Sequence, residues 1–159
     1  MAAGHPFTVP PPNGDPAGPI TLAQGQPTIV AATDFTDRTG AWSDNLTVAS
    51  DSYAELSPGL PGPDVTKQDA TMLGGLPYLT PLEVTNPDNG HSLILYKRDI
   101  GAGQPVSHTL DGYHYRIDLT AWAERQLGLS GSGLVQVTRL DGPVNGPGDG
   151  PACTGLSAR

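Results

Sequence analysis

Residues 82–96 read LEVTNPDNGHSLILY. Leu82 and Val84 alternate with Glu83 and Thr85, the two-residue period of a strand with one buried face. Asn86–Gly90 (NPDNG) interrupts the run. An Asn-Gly pair is a strong hairpin signal, because both central turn residues must tolerate a positive φ. Leu93–Tyr96 (LILY) then resumes as an unbroken apolar run, the pattern of a strand buried on both faces. A β-hairpin here makes the surrounding domain β-rich.

Working outward, Tyr113, Tyr115 and Ile117 alternate with His114, Arg116 and Asp118. The alternation predicts a strand with both tyrosines facing inward. Leu134–Leu140 reads as a last strand with Val135 and Val137 on one face, and Ser52–Leu56 (SYAEL) as an early one. One helix stands out. Leu119, Trp122, Ala123 and Leu127 form an apolar stripe at helical spacing, which places Trp122 in the core. Asp118 or Thr120 is suited to cap its start, and Gly128 its end. Short strands, Gly-rich turns and one helix predict a mainly all-β fold, a small β-barrel.

The two ends differ from this middle. The 159 residues include 21 Gly and 17 Pro, concentrated at the termini, with 36% apolar and 15% charged residues. Residues 1–45 are expected to be a Pro/Gly-rich arm, with Phe7, Val9, Ile20 and Leu22 as its few anchors, and 141–159 a loop-like tail. The barrel is expected over 46–140. Arms that cannot fold alone imply neighbours that hold them, and hence a homo-oligomer within a larger assembly.

Net charge is −8 and the pI about 4.6. A chain so poor in Lys and Arg lacks the footprint that neutralises phosphates, so neither nucleic acid nor an anionic membrane surface is an expected partner. No apolar run is long enough to span a bilayer. The first residues carry no basic segment followed by an apolar stretch, so no secretory signal is expected. Cys153 is the single cysteine, which excludes an intramolecular disulfide. Asp141, Asn145 and Asp149 do not match a calcium-loop spacing, and His108 and His114 do not match a zinc spacing. No metal or other cofactor is expected.

Residues 70–90 (ATMLGGLPYLTPLEVTNPDNG), then 93–101 (LILYKRDIG), 115–120 (YRIDLT) and 131–140, in that order, resemble the double-psi β-barrel of rare lipoprotein A, expansins and related cell-wall proteins. The likeness covers roughly residues 50–140. It implies a six-stranded double-psi β-barrel with one short helix and a groove for polysaccharide, usually peptidoglycan. In the lytic transglycosylase members an Asp in an Asp-x-Gly loop is the general acid, and that position is Asp99. A second acidic position, at the helix start, is Asp118. The chain departs from the family at Leu73, where a His is usual, and at Ile100, where an Arg is usual. Similar barrels occur in tail and other virion proteins of actinobacteriophages, where motifs like Tyr53–Leu56 (YAEL) and Leu73–Pro77 (LGGLP) recur.

The side chains singled out each have a structural alternative. Asp99 also suits a turn, and Asp118 a helix cap. Glu55 either binds sugar or pairs with Arg98 or Arg116. Tyr78, in a loop, suits a sugar-stacking platform. His91, His108 and His114 are candidates to stand in for the missing histidine. Glycan binding is expected of Glu55, Tyr78, Arg98 and His114, with Asp99 and Asp118 as the acids. The leading expectation is a virion-associated structural protein of a phage tail or tail tip, made in the host cytoplasm. Its arms would hold other virion proteins, and its barrel would dock or recognise peptidoglycan. A lytic transglycosylase using Asp99 and a capsid decoration protein are the alternatives.

Overall fold

In the computed structural model of the chain, residues 15–59 and 65–140 are described. The hairpin forms where the sequence predicts it. Strand β3 (Pro81–Thr85) pairs antiparallel with β4 (Ser92–Gly101), placing Leu82 opposite Leu95 and Val84 opposite Leu93; the other strands are β1 (Thr28–Phe35), β2 (Ser52–Leu56), β5 (Thr109–Leu110), β6 (Tyr113–Thr120) and β7 (Gly133–Arg139). The turn itself is wider than a two-residue loop, and of Asn89 and Gly90 only Gly90 takes a positive φ. Its asparagines have a further task. Nδ2 of Asn86 and Nδ2 of Asn89 both donate to the carbonyl of Leu127, 2.8 and 3.0 Å away, at the C-terminal end of helix α1 (Ala121–Leu127). Carbonyls at a helix end have no partner within the helix, so the hairpin supplies one.

The strands close on themselves. Around the ring they run β1-β7-β3-β4-β2-β6, and β6 returns to β1; β5 adds to the outer side of β6. Two contacts are parallel, β1 with β6 and β2 with β4, and the others are antiparallel. The fold is therefore mainly β, a ring of six strands with one short helix. Leu82, Val84, Leu95, Ile117, Leu119, Val135 and Val137 point into one buried cluster, joined by Ala123 and Leu127 of α1. Thr120, not Asp118, caps α1: its Oγ1 accepts from the Ala123 N–H at 3.1 Å, and Gly128 closes the other end in the left-handed conformation. Trp122 packs partly buried against the core.

Three expectations are revised. Strand β1 lies inside the segment expected to be an arm. Its sequence TIVAATDF shows no alternation because Val30, Ala31 and Ala32 are buried on both faces, and small alanines hide a strand in a Pro/Gly-rich context. The described remainder of that segment is also fastened to the barrel. Leu22 sits in the core, the Ile20 N–H bonds Met72, and Asp15 is gripped by Arg116. Second, the apolar run at 93–96 is not buried on both faces, since Ile94 is 48% exposed; the doubly buried strand is β2, buried at every position. Third, Tyr113 and Tyr115 face a small satellite cluster with Ala31 and Leu134 rather than the main core. Phe7, Val9, the tail residues Asp141, Asn145 and Asp149, and Cys153 lie outside the described residues.

A buried ionic latch holds the loop before β3. Glu55 Oε2 accepts from the N–H groups of Leu73 and Gly75, each at 2.8 Å. Oε1 accepts from the Leu76 N–H and from Lys97 Nζ, at 2.7 and 2.6 Å. Both ionic partners are fully buried. Replacing one member of such a pair strands the other charge in low dielectric. Glu55→Ala is expected to lower stability by about 3–5 kcal/mol in urea unfolding, whereas the exposed Glu83→Ala should change it by less than about 0.5 kcal/mol; equal effects would contradict the latch.

Candidate functional site

Asp99 and Asp118 lie 19 positions apart in sequence and meet through one residue, Ala54. Ala54 on β2 is the register partner of Asp99 on β4 and of Asp118 on β6. Asp118 is in turn the partner of Thr33 on β1. Register partners share a sheet face, so Asp99, Ala54, Asp118 and Thr33 form one row across four strands. Two interstrand steps put the two aspartate backbones about 10 Å apart, with only the methyl of Ala54 between them.

Two bulges create this row. Between Tyr53 and Ala54 the β4 register jumps from Lys97 to Asp99, and between Ala31 and Ala32 the β6 register jumps from Tyr115 to Ile117. Each jump leaves one extra residue, and in both cases it is an arginine. An extra residue reverses the in–out phase of everything after it, which is how bulges re-aim side chains. Arg98 is held by Asp51, Nη1 to Oδ1 at 2.8 Å, and lies against the Tyr96 ring. Arg116 is fully buried and donates to Asp15 through Nη2 and to the carbonyls of Gly18 and Met72 through Nη1. The bulges are thus pinned from outside the barrel.

The row is acidic and poorly solvated. Asp99 is 5% exposed, and its Oδ2 has no hydrogen-bond partner. Burial raises its pKa to about 6, and the neighbouring Asp37 adds to the rise; N–H groups of Ile100 and Ala41 offset part of it. Burial raises Asp118 further, to about 7, reinforced by the negative charges of Asp34, Asp99, Asp37 and Glu124. Glu124 is also raised, by burial first and then Asp34, against an N–H donated by Gly131 at 2.8 Å. Gly101 keeps the space beside Asp118 open: a Cβ there would stand 3.1 Å from Leu56 Cδ2 and 3.4 Å from Asp118 Oδ2. Among the described residues, no three His, Cys, Asp or Glu side chains are arranged to hold a metal ion. The arrangement instead suits proton transfer, because carboxyls poised near neutrality can give and take protons.

Beside the row, Thr33 also lines a cleft of about 410 Å³ with Gln104, Ser107, His108, Thr109, Tyr115 and Ser132. Its walls carry hydroxyl, amide and imidazole groups and no carboxylate, a lining that matches a neutral polar ligand.

The remaining site residues read from sequence are not gathered here. Glu55 adjoins Ala54 in sequence, but it is sealed in the latch with Lys97, not Arg98 or Arg116. Arg98 is engaged by Asp51, and His114 donates its N–H to Asp15 at 2.8 Å. Tyr78 donates its hydroxyl to Asp44 and packs on Trp42. His91 is exposed in the β3–β4 turn, while His108 is in the cleft near Gln104. Leu73, where a His is usual in the resembled family, is fully buried in the core. Asp34, Asp37, Thr33 and Trp42 escaped sequence reading because they belong to β1 and the loop after it, inside the supposed arm. The run TIVAATDF followed closely by Asp37 was the available signal.

No protein-family model matches this chain, and no curated protein matches it.

Because Asp118 and Asp99 are raised above the ordinary 3.8, the folded state holds protons that the unfolded state has lost between about pH 4 and pH 7. Their contribution to stability is present at low pH and disappears as pH rises through that window. Asp118→Asn, which removes the ionisation, should raise the melting temperature relative to wild type by a few degrees at about pH 8 and little at about pH 4.5. A variant-minus-wild-type difference independent of pH would show that Asp118 is not held protonated.

Proposed function

We propose that this chain is a double-psi β-barrel of the rare lipoprotein A and expansin type that cleaves cell-wall glycan as a lytic transglycosylase, with Asp99 as general acid. The observation that carries the reading is the meeting of Asp99 and Asp118 on either side of Ala54, both buried and both raised toward neutrality. The two parallel contacts in a ring of six strands support the double-psi reading.

The reaction needs one proton carrier. Protonated Asp99 gives its proton to the glycosidic oxygen as the C1–O bond breaks. The C6 hydroxyl of the same muramyl ring then forms a bond to C1 and returns a proton to the Asp99 carboxylate, so no water is consumed. Asp37 is the neighbouring carboxylate that raises Asp99's affinity for the proton, which makes it a positioning residue, while Asp118 is itself raised in part by the charge of Asp99. The cleft beside Thr33 would receive the sugar on one side of the acids.

A second reading is favoured by two observations. Asp99 is 5% exposed, and the position of the usual histidine is a core leucine, while among the described residues His91 lies in the β3–β4 turn, His108 in the cleft and His114 against Asp15. The same barrel would then serve a virion-associated structural protein, of a phage tail or tail tip or as a capsid decoration. It would recognise wall glycan without cutting it, and other virion proteins would engage its terminal arms.

Digestion of purified peptidoglycan separates the two. Wild-type protein is expected to release anhydro-muropeptides detectable by mass spectrometry, and Asp99→Asn to lower the rate by about 100-fold or more. An absence of products beside a working lytic enzyme would reject the transglycosylase and leave the binding and assembly reading.

A further inference from the structure

The loop between β1 and β2 brings three consecutive residues to the acid. Gly40 lies directly on β4: a Cβ there would fall 2.1 Å from the carbonyl oxygen of Arg98, the residue before Asp99. Ala41 gives its N–H to the Asp99 carboxyl. Trp42 follows immediately. The loop is braced internally, since the Gly40 N–H bonds the Asp44 carbonyl at 2.9 Å, the Leu46 N–H bonds the Arg38 carbonyl at 2.8 Å, and Leu46 is buried.

Trp42 is half-buried and belongs to neither hydrophobic cluster. Its ring centroid stands 4.9 Å from that of Tyr78, the planes tilted by 33°. The Tyr78 hydroxyl reaches back to Asp44 Oδ2 at 2.8 Å, so the two rings and the loop form one rigid unit. The two rings lie outside both hydrophobic clusters, Trp42 on the loop whose Ala41 N–H bonds the Asp99 carboxyl, with Lys97 Nζ of the latch 5.9 Å from the Trp42 ring centre. We propose that the Trp42–Tyr78 pair is a sugar-stacking subsite that presents a glycan ring to Asp99. Aromatic faces pack against the C–H face of a pyranose while its hydroxyls stay solvated, and a braced ring gives up little entropy on binding. The exposed Lys67 ammonium rests 4.9 Å from the Trp42 ring centre. At an exposed site such a contact is weak, so a sugar can displace it. With the cleft at Thr33 on the other flank of the acid row, a chain would be held on both sides of the bond nearest Asp99. Such an arrangement suits attack within a glycan strand rather than at its end.

This inference rests on the glycan reading, and binding without turnover separates the two. The full chain carrying Asp99→Asn is tested for retention on insoluble peptidoglycan and for tryptophan emission during titration with a soluble N-acetylglucosamine hexamer. The sequence contains two tryptophans, and Trp122 packs on the core, so a ligand-dependent emission change reports Trp42. Adding Trp42→Ala is expected to weaken retention by about tenfold or more and to abolish the emission change. Trp42→Phe, which keeps a ring and the loop, should restore much of the retention. Full retention in the Trp42→Ala protein would overturn the stacking subsite and leave glycan binding intact. No retention by the Asp99→Asn parent would overturn the subsite and the glycan reading together.

Discussion

Closing six strands into a ring leaves each residue either an inner or an outer position, and that constraint governs everything else in this molecule. Strict alternation from the core residues Leu95 and Ile117 would turn Lys97, Asp99 and Leu119 inward and Asp118 outward. The extra residue at Arg98 shifts Asp99 out of phase with Leu95, so that it shares Ala54 with Asp118. Choosing arginine for the extra position has a physical logic. A bulged residue loses its place in the ladder, and a long side chain with several fixed donors can recover the loss from other groups within its reach. Arg98 finds Asp51 and Ser52, and Arg116 finds Asp15, Pro16, Gly18 and Met72.

The acid row illustrates how a stable scaffold carries an unfavourable cluster. Five carboxylates converge while the only cations nearby on the same strands are committed elsewhere, Lys97 to Glu55 and the arginines to the outer loops. Repulsion and burial are then relieved by proton uptake instead of by pairing. The latch at Glu55 is the converse case. There a buried carboxylate has four donors around it, three backbone N–H groups of its loop and Lys97 Nζ. Two carboxylate environments in the same sheet thus differ by their donors.

How much of this was legible beforehand follows from what alternation can encode. The hairpin at 82–96, the strands at β2, β6 and β7 and the capped helix carry periodic or turn signals, and they appear where those signals put them, except that Leu119, counted on the helical stripe, belongs to β6. Strand β1 does not, because a strand buried on both faces by alanines has no period to detect. Its loss from the reading took Thr33, Asp34, Asp37 and Trp42 with it, which is why half of the site was invisible while Asp99 and Asp118 were not. Nor could spacing foretell that the acids would meet, since that depends on one-residue register jumps. The cap choice had a local cause as well: Thr120 directly precedes the helix, and a strand that persists to residue 120 leaves Asp118 in the ladder.

Strand β1 also bears on how the chain can assemble. Its two neighbours in the ring are β6 and β7, the last strands in the sequence, and nothing earlier offers it an edge. During synthesis from the N-terminus, β1 therefore has no ring partner until β6 and β7 have been made. Until then Val30 and its flanking alanines remain an unpaired apolar segment, and the acid row lacks the side that holds Asp34. Ring closure at long sequence separation is an entropically slow step. Closure of the barrel and completion of its cluster of carboxyls depend on the same strand.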